Sequence, residues 1–127
     1  MNRIYGAAIG ELESAMRFRL VRQGVLASNV ANSDTPGYRR AEVSFDRALD
    51  TAQDGLRKTH ARHLGAGGAE GYRFSRGPRG TRPDGNGVDR DQEVLTMTRN
   101  AGSFREAAAV LSRIYSLRRM AVTGETR

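Results

Sequence analysis

The chain contains no cysteine, few large apolar residues and no long apolar run. The absence of cysteine among 127 residues excludes disulfides, thiolate metal ligands and cysteine nucleophiles. Leu, Ile, Val and Phe together number 24, about 19% of the chain, which is little material for a core. The longest uncharged run is residues 23–33, whereas a membrane helix needs about 18 apolar residues. We therefore expect neither a large self-sufficient core nor direct membrane insertion.

Positive charge is abundant and unevenly spread. The formal net charge is +7, and residues 55–87 hold seven Lys and Arg against two acids. Such a patch is typical of a basic, helical nucleic-acid-associated protein, which is the alternative function for this chain. Stacking platforms for bases are scarce in this stretch, where only Tyr72 and Phe74 are aromatic. We therefore expect no nucleic-acid partner.

The sequence divides into an N-terminal part at 1–50, a middle at 51–88 and a C-terminal part at 89–127. Between residues 9 and 30, apolar residues recur with helical spacing in two stripes that lie roughly 90° or more apart. A surface helix needs only one apolar face, so this helix should have more than one neighbour. One stripe contains Ile9, Leu12, Met16, Leu26 and Val30, and the other contains Phe18, Val21 and Val25.

The first helix is predicted to end near Asn32. Asn29 and Asn32 are poor interior helix residues, and Pro36 cannot continue a helix because it lacks an N–H. Pro36 and Gly37 suit the two central positions of a type II turn, in which Gly37 takes a positive φ. The segment from Asn32 to Tyr38 is thus a helix stop followed by a tight turn.

Weaker patterns follow the turn. Residues 41–45 alternate with period two, which fits either a short β-strand or an extended arm. Residues 46–53 fit one or two helical turns. Residues 55–87 hold nine of the fifteen glycines and two of the three prolines, and they cannot bury enough apolar surface to offset the entropy of ordering. We expect this Gly/Arg-rich middle to be flexible unless a partner holds it.

The C-terminal part begins with a helix-start signal. Asp89 suits the N-cap, Gln92 completes a capping box, and Gly124 suits the position after the last turn. The predicted helix covers 90–123 and carries an apolar heptad, which predicts a coiled-coil-like seam. The heptad consists of Val94, Met97, Ala101, Phe104, Ala108, Leu111 and Tyr115.

The predicted fold is therefore mainly α. The long N- and C-terminal helices pack as a coiled-coil-like pair or bundle, joined by the flexible middle and accompanied by the short strand or arm. Gly24 and Gly102 lie inside the two predicted helices, where glycine costs about 1 kcal/mol relative to alanine. They mark either neutral exposed positions or a close approach of helix backbones.

No residue pattern supports catalysis or metal binding. His60 and His63 would share a helix face, but no cysteine or nearby acid completes a metal site. Residues 65–71 lack the third glycine of a dinucleotide loop and follow no strand. The carboxylates at 89–93 are better explained by capping and by the helix dipole. We expect no enzyme activity, no cofactor and no metal.

Residues 22–38 closely resemble the N-terminal signature of bacterial flagellar rod and hook proteins. The intact segment from Asn32 to Tyr38, followed by residues 39–45, is most similar to the proximal rod members of that family. The C-terminal part is similar to the family pattern as well, with Val94 in place of the common Met and Phe104 in place of the common Tyr. That pattern runs Val88-Asp89, Glu93, Asn100 and Phe104. The resemblance covers 12–50 and 88–123.

The resemblance implies a structural subunit of the bacterial flagellar basal-body rod, the drive shaft that crosses the periplasm. It implies helical assembly with other copies and other rod proteins, contacts with ring-adjacent adaptor and export-gate proteins, and type III export without a cleaved signal peptide. We expect the turn to direct the arm at 39–45 towards a neighbouring subunit, unless it is a generic turn. The assembly residues are predicted to be Asn29, Asn32, Asp34, Thr35, Pro36, Gly37, Tyr38, Phe45, Val94, Met97, Ala101, Phe104, Leu111 and Tyr115.

Overall fold

The computed structural model describes residues 2–45 and 71–124. Its elements are α1 (Asn2–Ala31), β1 (Ala41–Phe45), β2 (Tyr72–Arg76) and α2 (Arg90–Thr123). The predicted mainly α fold with two long helices is confirmed. The helical turns at 46–53, the histidine pair and most of the glycine loop lie outside the described residues, and the three-part division of the chain stays a prediction.

The ends of α2 follow the predicted signals. Asp89 has extended backbone angles, and its side chain accepts a hydrogen bond from the Gln92 N–H at 3.2 Å. Gly124 adopts a φ of 71° and donates its N–H to the Met120 carbonyl at 2.9 Å. These contacts satisfy backbone groups that an uncapped helix would leave without partners. The predicted bounds of 90–123 are confirmed.

Helix α1 ends where predicted but starts earlier than the apolar stripes. It begins at Asn2 and ends at Ala31, one residue before Asn32. The stripes begin only at Ile9, because the preceding residues 6–8 are Gly-Ala-Ala and contribute no large apolar side chain. Alanine has a high helix propensity, which accounts for helix without an apolar pattern.

The two apolar faces of α1 have different neighbours. On one face, the Phe18 ring packs against Phe45 and Tyr72, with ring centroids 6.0 Å and 5.9 Å away. On the other face, α2 runs antiparallel to α1. Its Asn100 side chain binds the Arg19 carbonyl at 2.8 Å. The prediction that this helix has more than one neighbour is confirmed.

Strands β1 and β2 form a two-stranded antiparallel sheet. Ala41 lies opposite Arg76 and Phe45 lies opposite Tyr72, which resolves the alternatives for 41–45 in favour of a strand. Val43, 4% exposed, is the buried centre of β1.

Strand β2 falls in the Gly/Arg-rich middle, which was predicted to be flexible unless a partner holds it, and here β2 pairs with β1. The physical reason is the Tyr72 ring, which packs against Phe18 and Phe45 in an otherwise polar stretch.

The interior is small and as polar as it is apolar. The buried hydrophobic residues are Ile9, Leu26, Val43 and Val88, whereas Asn29, Ser33, Asn86, Glu93 and Asn100 are buried and polar. A Cβ added to Gly24 or Gly102 would meet no atom within 4 Å, so no close approach within the chain requires either glycine. Neither of the two described helices is long and apolar enough to cross a bilayer.

Candidate assembly site

The side chain of Asn29 is fully buried at the end of α1 and binds the backbone of β1. Its Oδ1 accepts the Ala41 N–H at 2.9 Å, and its Nδ2 donates to the Ala41 carbonyl at 2.8 Å. This is the pair of bonds that a neighbouring strand would make. Asn29 therefore attaches the first residue of β1 to α1.

The same amide reaches α2. Asn29 Nδ2 also donates to Glu93 Oε2 at 2.9 Å, and the Glu93 side chain is almost completely buried. The other oxygen of Glu93 accepts a hydrogen bond from Arg40 Nε. A buried carboxylate is costly unless it is paired and hydrogen-bonded, and these partners meet both conditions. We call this group, Asn29, Arg40, Ala41 and Glu93, the Asn29 clasp.

Charge pairing dominates the environment of Arg40. The hydrogen bond to Glu93 raises the pKa of the Arg40 guanidinium above its ordinary range, against the lowering effect of burial. Arg40 Nη1 also lies 3.2 Å from Glu42 Oε2 on the exposed side of β1. The guanidinium thus bridges a buried and an exposed carboxylate. Its charge is maintained at every pH at which the fold is expected to exist.

The turn after α1 has the predicted geometry. Gly37 has a φ of 69°, and the Tyr38 N–H donates to the Thr35 carbonyl at 3.2 Å. Asn32 closes the helix with its backbone N–H and its side-chain Nδ2, both of which bond to the Ser28 carbonyl. The Tyr38 hydroxyl donates to Asn29 Oδ1 at 3.3 Å. The turn is thus connected to the Asn29 clasp.

A loop at 77–88 covers one side of this turn. The Gly37 N–H donates to the Asp84 carbonyl at 2.8 Å, and the Gly87 N–H donates to the Tyr38 carbonyl at 3.0 Å. Asn86, 1% exposed, donates from Nδ2 to the Thr35 carbonyl at 2.7 Å and to the Asn32 carbonyl at 3.0 Å. These bonds supply backbone partners for the turn within the same chain.

Gly80 allows this loop to close. A Cβ at position 80 would lie 1.7 Å from the Asn86 carbonyl oxygen, an impossible distance. The glycine content of 77–88 predicted a mobile loop, but Gly80 instead lets the loop backbone come close to the Asn86 carbonyl. A sequence signal exists in hindsight: Asn86 stands between two glycines just before the α2 cap.

The described residues offer little else to a ligand. An open cleft of about 430 Å³ lies beside the loop and is lined by residues 80–82 and 86–90. Its one acidic side chain, Asp89, caps α2. Within 2–45 and 71–124, no three His, Asp or Glu side chains gather closely enough to hold a metal ion.

Comparison with known proteins agrees with this architecture. The family model for "Flagella basal body rod protein" matches residues 12–39, a range that contains Asn29 and the turn. The flagellar basal body rod protein FlgB of Cereibacter sphaeroides is 34% identical over 121 residues, which cover 92% of this chain and 94% of the relative. The chain belongs to the FlgB family. FlgB of Aeromonas hydrophila is 33% identical over 95% of this chain and 96% of its own length, and FlgB of Bacillus subtilis is 27% identical over 95% and 97%.

FlgB proteins are structural proteins of the flagellar basal body, and this chain is accordingly a structural subunit of the flagellar rod that assembles with other rod components. The structure brings Asn29, Asn32, Thr35, Gly37 and Tyr38 together around the end of α1. Asp34 and Pro36 are exposed on the outer surface of the turn, and Phe45 lies in the aromatic cluster with Phe18.

Only part of the seam predicted for α2 lies in the interface between α1 and α2 of this FlgB-family chain. Met97, Ala101, Phe104 and Leu111 are half-buried, whereas Val94 and Tyr115 are 40% and 46% exposed. The Tyr115 hydroxyl donates to Glu13 Oε1 at 2.9 Å, and this bond raises the pKa of the Tyr115 phenol.

Sequence reasoning missed the contacts of three buried polar residues and of the half-buried arginine that pairs with one of them. These residues are Arg40, Asn86, Glu93 and Asn100. The helix dipole was a sufficient explanation for Glu93. Glu93 and Asn100 each precede a heptad residue, so the apolar pattern did not mark them as buried.

Proposed function

We propose that this chain is a subunit of the proximal rod, where copies assemble helically with other rod proteins into the drive shaft that crosses the periplasm. FlgB membership supports the rod assignment, and the small interior supports assembly. The residues that the structure describes bury little apolar surface, and such a subunit gains stability when neighbouring subunits cover more of it.

The observation that carries the proposal is the Asn29 clasp. One buried amide binds the start of β1 and the start of α2, and the Tyr38 hydroxyl joins it from the turn. This polar centre therefore fixes the start of the sheet to the helix pair, and the packing of Phe18 on Phe45 holds the end of β1 against α1. We infer that the clasp and the turn orient the β1–β2 sheet as the arm that reaches a neighbouring subunit.

Exposed apolar side chains supply surface for such contacts. Phe74 on β2 is 58% exposed although it lies directly opposite the buried Val43 in the sheet. Leu20 on α1 is 58% exposed, and on α2 Val110 and Leu117 are 53% and 51% exposed. Exposed apolar side chains scattered singly are common on protein surfaces, and in the proposed assembly neighbouring subunits would cover these four.

Export through the flagellar type III system, without a cleaved signal peptide, fits the same features. The chain has no cysteine to cross-link before export, and its small interior offers little resistance to unfolding. At the base of the rod, ring-adjacent adaptor and export-gate proteins would be its neighbours. An assay of the subunit in the medium of a hook-deficient strain, with and without the export ATPase, tests this route.

The alternative, a basic nucleic-acid-associated protein, has less support. Arg40 and Arg82 pair with carboxylates, and Tyr72 packs against Phe18 and Phe45. Phe74 is the exposed ring in 71–88. A salt-titrated mobility shift on duplex and single-stranded DNA decides between the two: tight binding at about 0.15 M salt would favour the alternative.

Asn29→Leu tests the proposed role of the clasp. The variant leaves the Ala41 backbone and Glu93 without their buried partner, so the sheet should no longer hold one direction. We expect the subunit in the export medium but not in purified basal bodies. Thr98→Ala is the matched control, because the Thr98 hydroxyl is exposed and bonds only its own helix. Wild-type amounts of the Asn29→Leu subunit in basal bodies would contradict the proposal.

A further inference from the structure

The interface between α1 and α2 contains polar side chains where the heptad predicts apolar ones. The heptad places Val94 and Ala101 in the seam. The structure instead buries the residues immediately before them, Glu93 at 1% and Asn100 at 4% exposure, and it leaves Val94 40% exposed. One residue corresponds to about 100° of rotation around a helix axis. Because the heptad residues Met97 and Phe104 stay half-buried, α2 is turned by roughly half of that angle from the setting that its apolar pattern favours.

The hydrogen bonds that Asn100 makes with α1 are possible only in this rotation of α2. Its Nδ2 donates to the Arg19 carbonyl at 2.8 Å and to Gln23 Oε1 at 2.7 Å. The two acceptors lie one turn apart on α1, so both are reached from only one height and one rotation of α2. Rotating α2 to bury Val94 and Ala101 would carry the Asn100 amide away from both acceptors.

The arrangement has an energetic cost that an apolar seam would avoid. Asn100 Oδ1 and Arg19 Nε are buried in the same interface and have no hydrogen-bond partner among the described residues. Buried polar groups without partners destabilise a fold, whereas a single polar residue in a helical seam discriminates between competing registers. The Asn100 contact is thus better suited to selecting one packing than to strengthening it.

We propose that Asn100, acting through Gln23 and the Arg19 carbonyl, is the residue that selects the rotation of α2 on α1. A consequence, which rests on the proposed assembly function, is that this rotation keeps Val94 and Tyr115 on the surface, where neighbouring subunits can contact them. Without the amide, the apolar pattern draws Val94 and Ala101 into the seam, and α2 samples a second setting.

The test is a distance measurement between two spin labels in the full chain. Because the chain has no cysteine, Ala27→Cys and Thr98→Cys introduce the two attachment sites, and both positions are exposed on facing stretches of α1 and α2. In this background we expect one narrow distance. Asn100→Leu should shift or split it by on the order of 5 Å, because a rotation of roughly half a residue moves a label at the end of its side-chain linker by about that much. Ser112→Leu, which adds the same side chain at an exposed position of α2, should leave the distance unchanged.

A second measurement separates selection from ordinary packing. The urea midpoint of Asn100→Leu should stay equal to the parent or rise, because the leucine removes an unpartnered buried group. An unchanged single distance would overturn the proposal, and so would a lowered midpoint with the parental distance. If Asn100→Leu loses its helical circular dichroism, Asn100→Ala is judged by the same two criteria. An altered distance with normal incorporation into basal bodies would uphold the rotation and overturn its link to assembly.

Discussion

The amide of Asn29 and the carboxylate of Glu93, 64 positions apart in the chain, meet in the interior at 2.9 Å. Asn29 lies in the last turn of the first helix and Glu93 lies in the first turn of the second helix. The two segments that resemble the flagellar rod family are thus joined by a direct buried hydrogen bond. The loss of either side chain removes one buried hydrogen bond from the other.

Gly37→Val should block stable assembly while preserving export. Gly37 has a φ of 69°, where residues with a Cβ pay about 1–2 kcal/mol and a β-branched residue pays more. No atom lies within 4 Å of the added Cβ, so the penalty comes from the backbone and not from a clash. Basal bodies and culture medium of the same strain are to be assayed together.

Gly24→Ala, in open space inside α1, serves as the control and should raise stability by about 0.5–1 kcal/mol. Normal incorporation would show that the turn is no assembly determinant, and failure of export would assign it to secretion.

Arg40→Lys should make stability sensitive to alkaline pH. The folded-state pKa of Arg40 is raised above its unfolded value, so its contribution is complete below the unfolded pKa and is lost only as pH rises through the folded one. Lysine has an ordinary pKa of about 10.4, so the same loss moves down to a window that opens near that pH and extends above it. Urea unfolding across this window should show Arg40→Lys losing about 1–3 kcal/mol relative to the parent.

Arg39→Lys is the matched control for that experiment. Arg39 Nε donates to the neutral Gly77 carbonyl at 2.7 Å instead of to a carboxylate. Its variant should follow the parental pH profile closely. Parallel alkaline losses in both variants would mean that the pairing with Glu93 contributes nothing specific.

Asn86→Ala should open the loop at 77–88 to trypsin. We expect the earliest tryptic cuts in the native chain within 55–87, as the glycine content indicates, but the structure adds a distinction inside that range. Arg82 donates to the Ser33 carbonyl and pairs with Asp84, each at 3.3 Å. Asn86 holds the loop to the turn. Cleavage after Arg79, which precedes Gly80, should therefore accelerate several-fold in the variant, as followed by mass spectrometry. Equal cleavage rates in parent and variant would show that Asn86 does not hold the loop, and early cuts within 94–117 would contradict the expected order.

Phe104→Asp should abolish rod incorporation and swimming. Phe104 is half-buried on the side of α2 that faces α1, and a carboxylate there loses apolar contact and has no prepared partner. We expect a loss of about 2 kcal/mol or more in unfolding free energy, measured by urea denaturation. Arg118→Glu changes an exposed residue outside the apolar pattern and should be milder. If cells carrying Phe104→Asp swim and build normal rods, Phe104 does not belong to a seam that assembly requires.

Local interactions made much of this protein predictable from its sequence. Helix α2 is bounded by Asp89 and Gly124, whose capping contacts lie within a few residues along the chain. The turn at Pro36 and Gly37 follows from the missing N–H of proline and from the freedom of glycine at positive φ. The two apolar stripes of α1 predicted two neighbours, because the direction of a side chain on a helix depends only on its position in the sequence.

What only the tertiary structure decided are the pairings between distant segments. Strand β2 exists because Tyr72 can pack on Phe18 and Phe45, and the loop before α2 closes because Asn86 finds the carbonyls of Asn32 and Thr35. The rotation of α2 follows hydrogen bonds of Glu93 and Asn100 in place of its apolar heptad. The physical reason is range: a cap or a turn is satisfied by neighbours in sequence, whereas a buried amide or carboxylate chooses its partner only when the chain has folded around it.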